Sequence, residues 1–335
     1  MNERYSRQTR FPGIGPDGQA RIASAEILIA GAGALGSAAA EMLVRAGVGT
    51  VTIVDRDYVE FSNLQRQQLY TEADAEARMP KAAAAEKRLK EINSSVEITG
   101  IIGEITPELL ESYDHVDVII DGLDNFETRM VINDAAQKAG IPFVYGACVS
   151  SYGLSYTVLP GKKPCLQCIL GTVPGGGETC DTAGIIGPAV QLTASYQTAE
   201  VLKLLAGAED QLRNGLIQYD VWANETRTMG VDRLKRHDCP SCGENPVYPN
   251  LERGARTQTA VLCGRDTVQI RPAKHVAFEE LRRTLASYEL QENPYLMQVK
   301  LEGHRVVLFH DGRALVHNTQ EPSAALSLYQ RYIGS

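Results

Sequence analysis

A chain of 335 residues is long enough for one large α/β domain and a smaller companion, and its 44% hydrophobic and 22% charged content is that of a globular protein. A formal charge of −8 at pH 7 excludes a nucleic-acid partner held by charge alone, because a phosphate backbone needs a basic face. No apolar run approaches the roughly 18 residues of a membrane helix. The start, Met1-Asn2-Glu3-Arg4-Tyr5, lacks the layout of a signal peptide, so a cytoplasmic protein with no membrane partner is expected.

In chain order, a short helix over residues 16–24 leads into a buried strand, 26–30. An alanine-rich helix over 34–46 ends at Gly47, and a strand over 50–54 ends in Asp55, which completes a βαβ unit. A helix over 80–93, strands over 96–100, 116–120 and 143–148, and a helix near 125–139 follow. This alternation predicts a Rossmann-like, doubly wound, mostly parallel sheet. A strand over 154–159 has no helix before it, so antiparallel strands are expected to extend the sheet. The Gly- and Pro-rich stretch 160–188 has no apolar period and reads as a functional loop. A helix over 190–205 and strands over 214–220 and 225–231 close this domain, which spans 1–250. After a composition break near 248–258, residues 255–335 read as a small α+β module. Its strands are expected at 267–271, 295–301, 304–310 and 313–316, and its helices at 277–286 and 321–333.

Gly31, Gly33 and Gly36 form G-x-G-x-x-G between the first strand and its helix. Such glycines allow a tight turn, backbone approach to a ligand and close helix packing, and the helix N-terminus suits phosphate. Asp55, at the end of the second strand, is placed to accept from ribose hydroxyls. A nicotinamide enzyme would next need a hydride-acceptor site. Instead Asp57 and the run Ser62-Asn63-Leu64-Gln65-Arg66-Gln67 follow. Arg66 can grip phosphate oxygens bidentately, and Lys81, after Pro80, adds a second cation. Asp124, in DGLDN with Asn125, reads as the end of a strand at the ligand-binding edge, where a carboxylate beside phosphates suits Mg²⁺. Alternatively, Arg66 is a surface ion pair, Lys81 a solvated residue, and Asp124 a helix cap.

Seven cysteines in a reducing compartment do not suggest a disulfide framework. Cys165-Leu166-Gln167-Cys168 and Cys239-Pro240-Ser241-Cys242 are two C-x₂-C pairs, together able to close a structural Zn²⁺ site. Cys180, in GETCDTAG, stands on a polar loop as a candidate nucleophile or sulfur carrier, or as an inert thiol. Cys148 and Cys263 read as core residues.

Taken together, RYSRQ, GAGALGS, DRDYVEFSNLQRQ, PKA, DGLDN, the two C-x₂-C pairs and ETCDTAGIIGP resemble the ThiF/MoeB/HesA family, bacterial relatives of ubiquitin-activating enzymes. The resemblance runs over residues 4–250. It implies a homodimer that uses ATP and Mg²⁺ to adenylate the C-terminal glycine of a ubiquitin-like sulfur-carrier protein, with release of pyrophosphate. It implies that Gly33 and its neighbours line the nucleotide and that Asp55 holds ribose. By the same resemblance Asn63, Arg66 and Lys81 hold phosphates, Asp124 holds magnesium, and Arg7 reaches the ATP of the other subunit. The four paired cysteines match zinc ligands, and Cys180 matches a loop cysteine of sulfur or thioester chemistry, with a sulfur-donor protein as a further partner. The stretch between Arg66 and Lys81 is slightly longer than in relatives, so a bulge is expected there.

The chemistry agrees with the residues. A carboxylate and an α-phosphate repel each other, so cations and a metal are needed, but no general base is, because the nucleophile is already ionised. None of the six histidines falls in a motif. The carrier is expected to be ThiS-like, for thiazole biosynthesis, or MoaD-like, for molybdenum-cofactor biosynthesis. An NAD-dependent dehydrogenase and a non-catalytic scaffold are the competing classes.

Overall fold

Strand β1 (Glu26–Ala30) is EILIA, and every residue after Glu26 is buried. An apolar run without alternation is what a parallel strand needs when helices cover both faces. In the computed structural model, which describes residues 3–171, 183–252, 259–261, 266–272 and 277–334, β1 lies between β2 (Thr50–Asp55) and β4 (Val118–Asp121). With β3 (Glu97–Ile102) and β5 (Phe143–Val149), these make five parallel strands in the order β3-β2-β1-β4-β5. Strands β6 (Tyr152–Val158), β7 (Leu216–Asp220) and β8 (Glu225–Met229) continue the sheet antiparallel. The expected mixed sheet is therefore present.

Helices α1 (Ser6–Thr9) and α2 (Gly15–Ser24) precede β1. Then come α3 (Ala34–Ala46), α4 (Glu72–Glu76), α5 (Lys81–Ile92), α6 (Pro107–Ser112), α7 (Phe126–Ala139), α8 (Leu166–Leu170) and α9 (Gly187–Ala206). Alternate β1 residues divide between two cores. Ile27 and Ile29 pack with Leu43 of α3, Leu89 of α5 and Val201 of α9, while Leu28 and Ala30 pack with Ile132 and Ala136 of α7 and Phe143 of β5. The stretch between Arg66 and Lys81 holds α4, which Thr71 starts by accepting from Asp74 N. Within the expected loop 160–188, Leu166–Leu170 is helical, a single turn too short to show a period. The end of β4 is Asp121, not Asp124, so Asp124 lies in the loop beyond the strand.

The chain divides into two compact units, residues 1–254 and 255–335. The second holds an antiparallel sheet of order β11-β12-β13-β14-β10-β9. Its strands are β9 (Thr259–Val261), β10 (Thr267–Ile270), β11 (Leu290–Glu292), β12 (Leu296–Leu301), β13 (His304–Phe309) and β14 (Ala314–His317). Helices α10 (Phe278–Thr284) and α11 (Pro322–Tyr332) pack Phe278, Leu281, Leu328 and Tyr329 against Val268, Val299, Val306 and Val316. The three-residue strands β9 and β11 carry too few residues for alternation to show.

One backbone contact fixes the mouth of the large sheet. Gly31 has φ +95° and donates its N–H to Val54 O at 2.8 Å. A Cβ on Gly36 would lie 1.8 Å from Gly31 O, and one on Gly122 would lie 2.6 Å from the same atom. We predict that Gly122→Ala destabilises the protein by about 1–3 kcal/mol through overpacking. Gly140→Ala, whose only fault is φ +75° in open space, is expected to cost about 1–2 kcal/mol. Urea unfolding of both variants checks the ordering, and a Gly122→Ala no weaker than Gly140→Ala contradicts it.

Candidate nucleotide site and metal centre

The glycine turn, α3 and the ends of β2 and β4 form the floor of the site. Gly33 is the N-cap of α3 and makes no side-chain bond, so the helix start offers backbone N–H groups. Asp55 serves the turn first. Its Oδ2 accepts from Ala32 N at 2.6 Å and its Oδ1 from Asp57 N at 2.7 Å. Each oxygen keeps a further lone pair for a ribose hydroxyl. Burial raises the Asp55 pKa above the ordinary carboxylate range, and the charge of Lys81 works against that rise.

Lys81 is the first residue of α5 and is only 3% exposed, so it is not a solvated residue. Its Nζ lies 3.3 Å from Asp57 Oδ2, and its N donates to Asp57 O at 2.9 Å. Asp57 is thus the counter-ion of the buried lysine. Arg66 is half-buried, its Nη1 donates to Ser62 O at 3.0 Å, and among the described residues it has no ion pair to an acidic residue. Ser62 is exposed. Asn63 is buried, and its Oδ1 accepts from Glu60 N at 3.0 Å in a capping box, so this carboxamide oxygen shapes the turn.

Asp124 is exposed, and Asn125 Nδ2 donates to its Oδ1 at 3.4 Å. The cap of α7 is Asn125, which accepts from Thr128 N at 2.9 Å, and not Asp124. An exposed carboxylate at this edge is a hard oxygen donor and fits a hard divalent cation. Arg7 is exposed on α1, at the opposite end of α3 from the glycine turn. Gln8 next to it donates to Ala46 O at 2.9 Å, and α3 spans about 20 Å. Within one chain Arg7 is not brought to the turn. Cys180 and Cys263 lie outside the described residues. Cys148 is half-buried against Leu35, Ala38, Val190 and Ala194.

The sequence reading missed a buried cluster beneath Asp124. Asp121 and Arg129 form an ion pair, with Nε at 2.8 Å from Oδ2, and Gln197 Nε2 donates to Asp121 O at 2.8 Å. Burial raises the Asp121 pKa, and the Arg129 charge opposes the rise. The available signal was an apolar strand ending in a carboxylate, with an arginine in the first turn of the helix that follows.

Sγ atoms of Cys165, Cys168, Cys239 and Cys242 lie within 4.8 Å of one another, with Cys165–Cys239 at 3.6 Å and Cys168–Cys242 at 3.5 Å. Zn–S bonds of about 2.3 Å in a tetrahedron require sulfurs roughly 3.8 Å apart, so the four residues fit Zn²⁺. The thiols differ in pKa. Contact with Cys242 and burial push Cys165 up, while the hydrogen bond from Cys165 pulls Cys242 down to about 5. Three hydrogen bonds to the buried face of α7 anchor this clamp. Leu166 N donates to Asn133 Oδ1 at 2.8 Å, and Asn250 N and Nδ2 donate to Asp134 Oδ2 at 3.0 and 2.8 Å.

The ThiF family profile matches residues 5–241. The chain belongs to the ThiF family. Along its whole length it is 52% identical to the sulfur carrier protein ThiS adenylyltransferase of Bacillus subtilis, and it covers 100% of that protein. It is 34% identical to the Escherichia coli protein of the same name, over 73% of this chain and 97% of that one. It is 35% identical to the adenylyltransferase and sulfurtransferase MOCS3 of Sus scrofa, over 85% of this chain but 63% of that longer protein. Among solved structures, E. coli MccB has the same fold, with a TM-score of 0.64 at 21% identity over 72% of this chain and 74% of that one. Family membership argues against the dehydrogenase reading. Among the described residues no helix is long and apolar enough to cross a membrane.

Chelation is predicted to remove a single zinc ion per chain and to lower the melting temperature. Acidification should release the metal too, because the ligands bind it only as thiolates and protons compete for them. Atomic absorption across a pH titration checks this, and a protein that melts identically with and without chelator contradicts it.

Proposed function

We propose that this protein uses ATP to adenylate the C-terminal glycine carboxylate of a ThiS-type, ubiquitin-like sulfur carrier in thiazole biosynthesis. The observation that carries the reading is the 52% identity over the full chain, which includes residues 255–335. The likeness to MOCS3 supports the same chemistry on a MoaD-type carrier as the second reading, but covers 63% of that protein.

In this reading the adenosine ribose meets Asp55, and the phosphates lie over the N-terminus of α3. Arg66 and Lys81 neutralise phosphate charge, and Asp57 holds the lysine until the triphosphate competes for it. One carboxylate oxygen of the carrier attacks the α-phosphorus. The bond from the α-phosphorus to the bridging oxygen breaks, and pyrophosphate leaves with the electron pair. Mg²⁺ held at Asp124 would offset charge on the phosphates and the leaving group. Asn125 and Asn63 keep the two loops that face the nucleotide in shape. Because Arg7 is remote from the turn of its own chain, we assign its contact with ATP to a homodimer partner. Cys180 belongs to the later sulfur-transfer step, so Cys180→Ala should retain adenylylation.

Carrier protein incubated with enzyme and ATP is expected to gain the mass of AMP, and pyrophosphate exchange into ATP should depend on the carrier. Asp124→Ala and Arg66→Ala should each slow that exchange by about 10²–10³-fold with zinc content unchanged. A ThiS-type carrier that gains no mass while a MoaD-type carrier does would transfer the assignment to the second reading.

A further inference from the structure

We infer that Arg129 is a positioning residue for this reaction, one that sets the place of Asp124 by gripping the residue before it. The inference rests on the function proposed above. Asp124 cannot hold itself in place. It is exposed, and its side-chain hydrogen bond among the described residues is the 3.4 Å contact with Asn125. Its position must come from the backbone that carries it.

That backbone is held by one buried ion pair. Arg129 is 4% exposed and Asp121 is fully buried. Arg129 Nε donates to Asp121 Oδ2 at 2.8 Å, and Nη2 donates to Leu123 O at 2.5 Å and to Gly146 O at 3.1 Å. Asp121 in turn accepts from Leu123 N at 2.9 Å and from Gly146 N at 3.4 Å. Leu123, the neighbour of Asp124, therefore has both of its backbone polar groups taken by the two halves of the pair. Gly146 of β5 is held in the same way, which ties the loop to the sheet.

The rings of Phe126 and Tyr145 each lie 5.3 Å from the Arg129 guanidinium carbon and limit where it can swing. Gln197 of α9 holds Asp121 from the third side through its carbonyl. A buried ion pair is a weak source of stability, because desolvation offsets the attraction. What this pair provides is direction. The planar fork of arginine meets a carboxylate and two carbonyls at once, which a lysine ammonium on a flexible stem does not reproduce.

The test is a double-variant cycle on the full-length enzyme with Arg129→Lys and Asp124→Asn. Two quantities are measured. One is the Mg²⁺ concentration for half-maximal carrier-dependent pyrophosphate exchange. The other is Mn²⁺ binding by electron paramagnetic resonance, with a non-hydrolysable ATP analogue bound. Arg129→Lys is expected to weaken both by about tenfold or more, with circular dichroism like the parent. In the Asp124→Asn background the same change should cost less than about twofold, because the group it positions is already gone. Asp121→Asn, which keeps the shape and removes the charge, should repeat the pattern, and it replaces Arg129→Lys if that variant does not fold. Unchanged metal dependence in a folded variant, or losses that multiply in the double variant, would overturn the role of Arg129. A parent enzyme with no carrier-dependent exchange would instead overturn the proposed function.

Discussion

The contact of three glycine backbones, Gly31, Gly36 and Gly122, is the constraint on which the site depends. It lets the first turn, the start of α3 and the end of β4 approach more closely than any side chain would permit. Because these pieces touch through backbone, no side chain separates them at the floor of the site. The N–H groups of α3 and the loop carrying Asp124 then emerge at the same edge. Asp55 reinforces the arrangement by accepting from Ala32 and Asp57 on the two sides of the cleft. Asp55 thus shapes the turn as well as being the residue proposed to meet ribose.

Helix α7 joins the two centres of the large unit. Its first turn carries Asn125 and Arg129, which order the loop at the nucleotide edge. Its buried middle carries Asn133 and Asp134, which hold the cysteine clamp and the segment leading toward the second unit. Four polar residues on one helix thereby place two sites that share no ligand. The clamp itself uses no other element of the sheet for its sulfurs, so its geometry follows from two tight turns and the metal they fit.

Much of this was legible in the sequence, for reasons that differ by residue. Buried parallel strands are continuous apolar runs, so β1, β2 and β4 stood out, and the glycine spacing and the paired cysteines each encode a geometry in a few adjacent positions. Polar partnerships across the fold leave no such mark. Nothing local says that Lys81 is buried against Asp57. In DGLDN two aspartates lie three apart, and only the packing of β5 and α9 decides that Asp121 goes inward and Asp124 outward. Helix α8 is a single turn, and a period cannot be read from five residues. The motif reading therefore named residues marked by local spacing, and missed the buried Asp121–Arg129 pair behind Asp124.

The cysteine clamp also has a bearing on how the chain acquires its shape. The contact between Cys165 and Cys239 joins residues 74 apart, and closing such a loop has an entropic cost that local turns do not carry. Each C-x₂-C pair is local, but the two pairs are separated in the chain by β7, which pairs with β6, and β8, which pairs with β7. A Zn²⁺ ion held by all four sulfurs would therefore fasten this long-range connection from outside the sheet. A newly made chain starved of zinc would keep its nucleotide cleft and lack its latch.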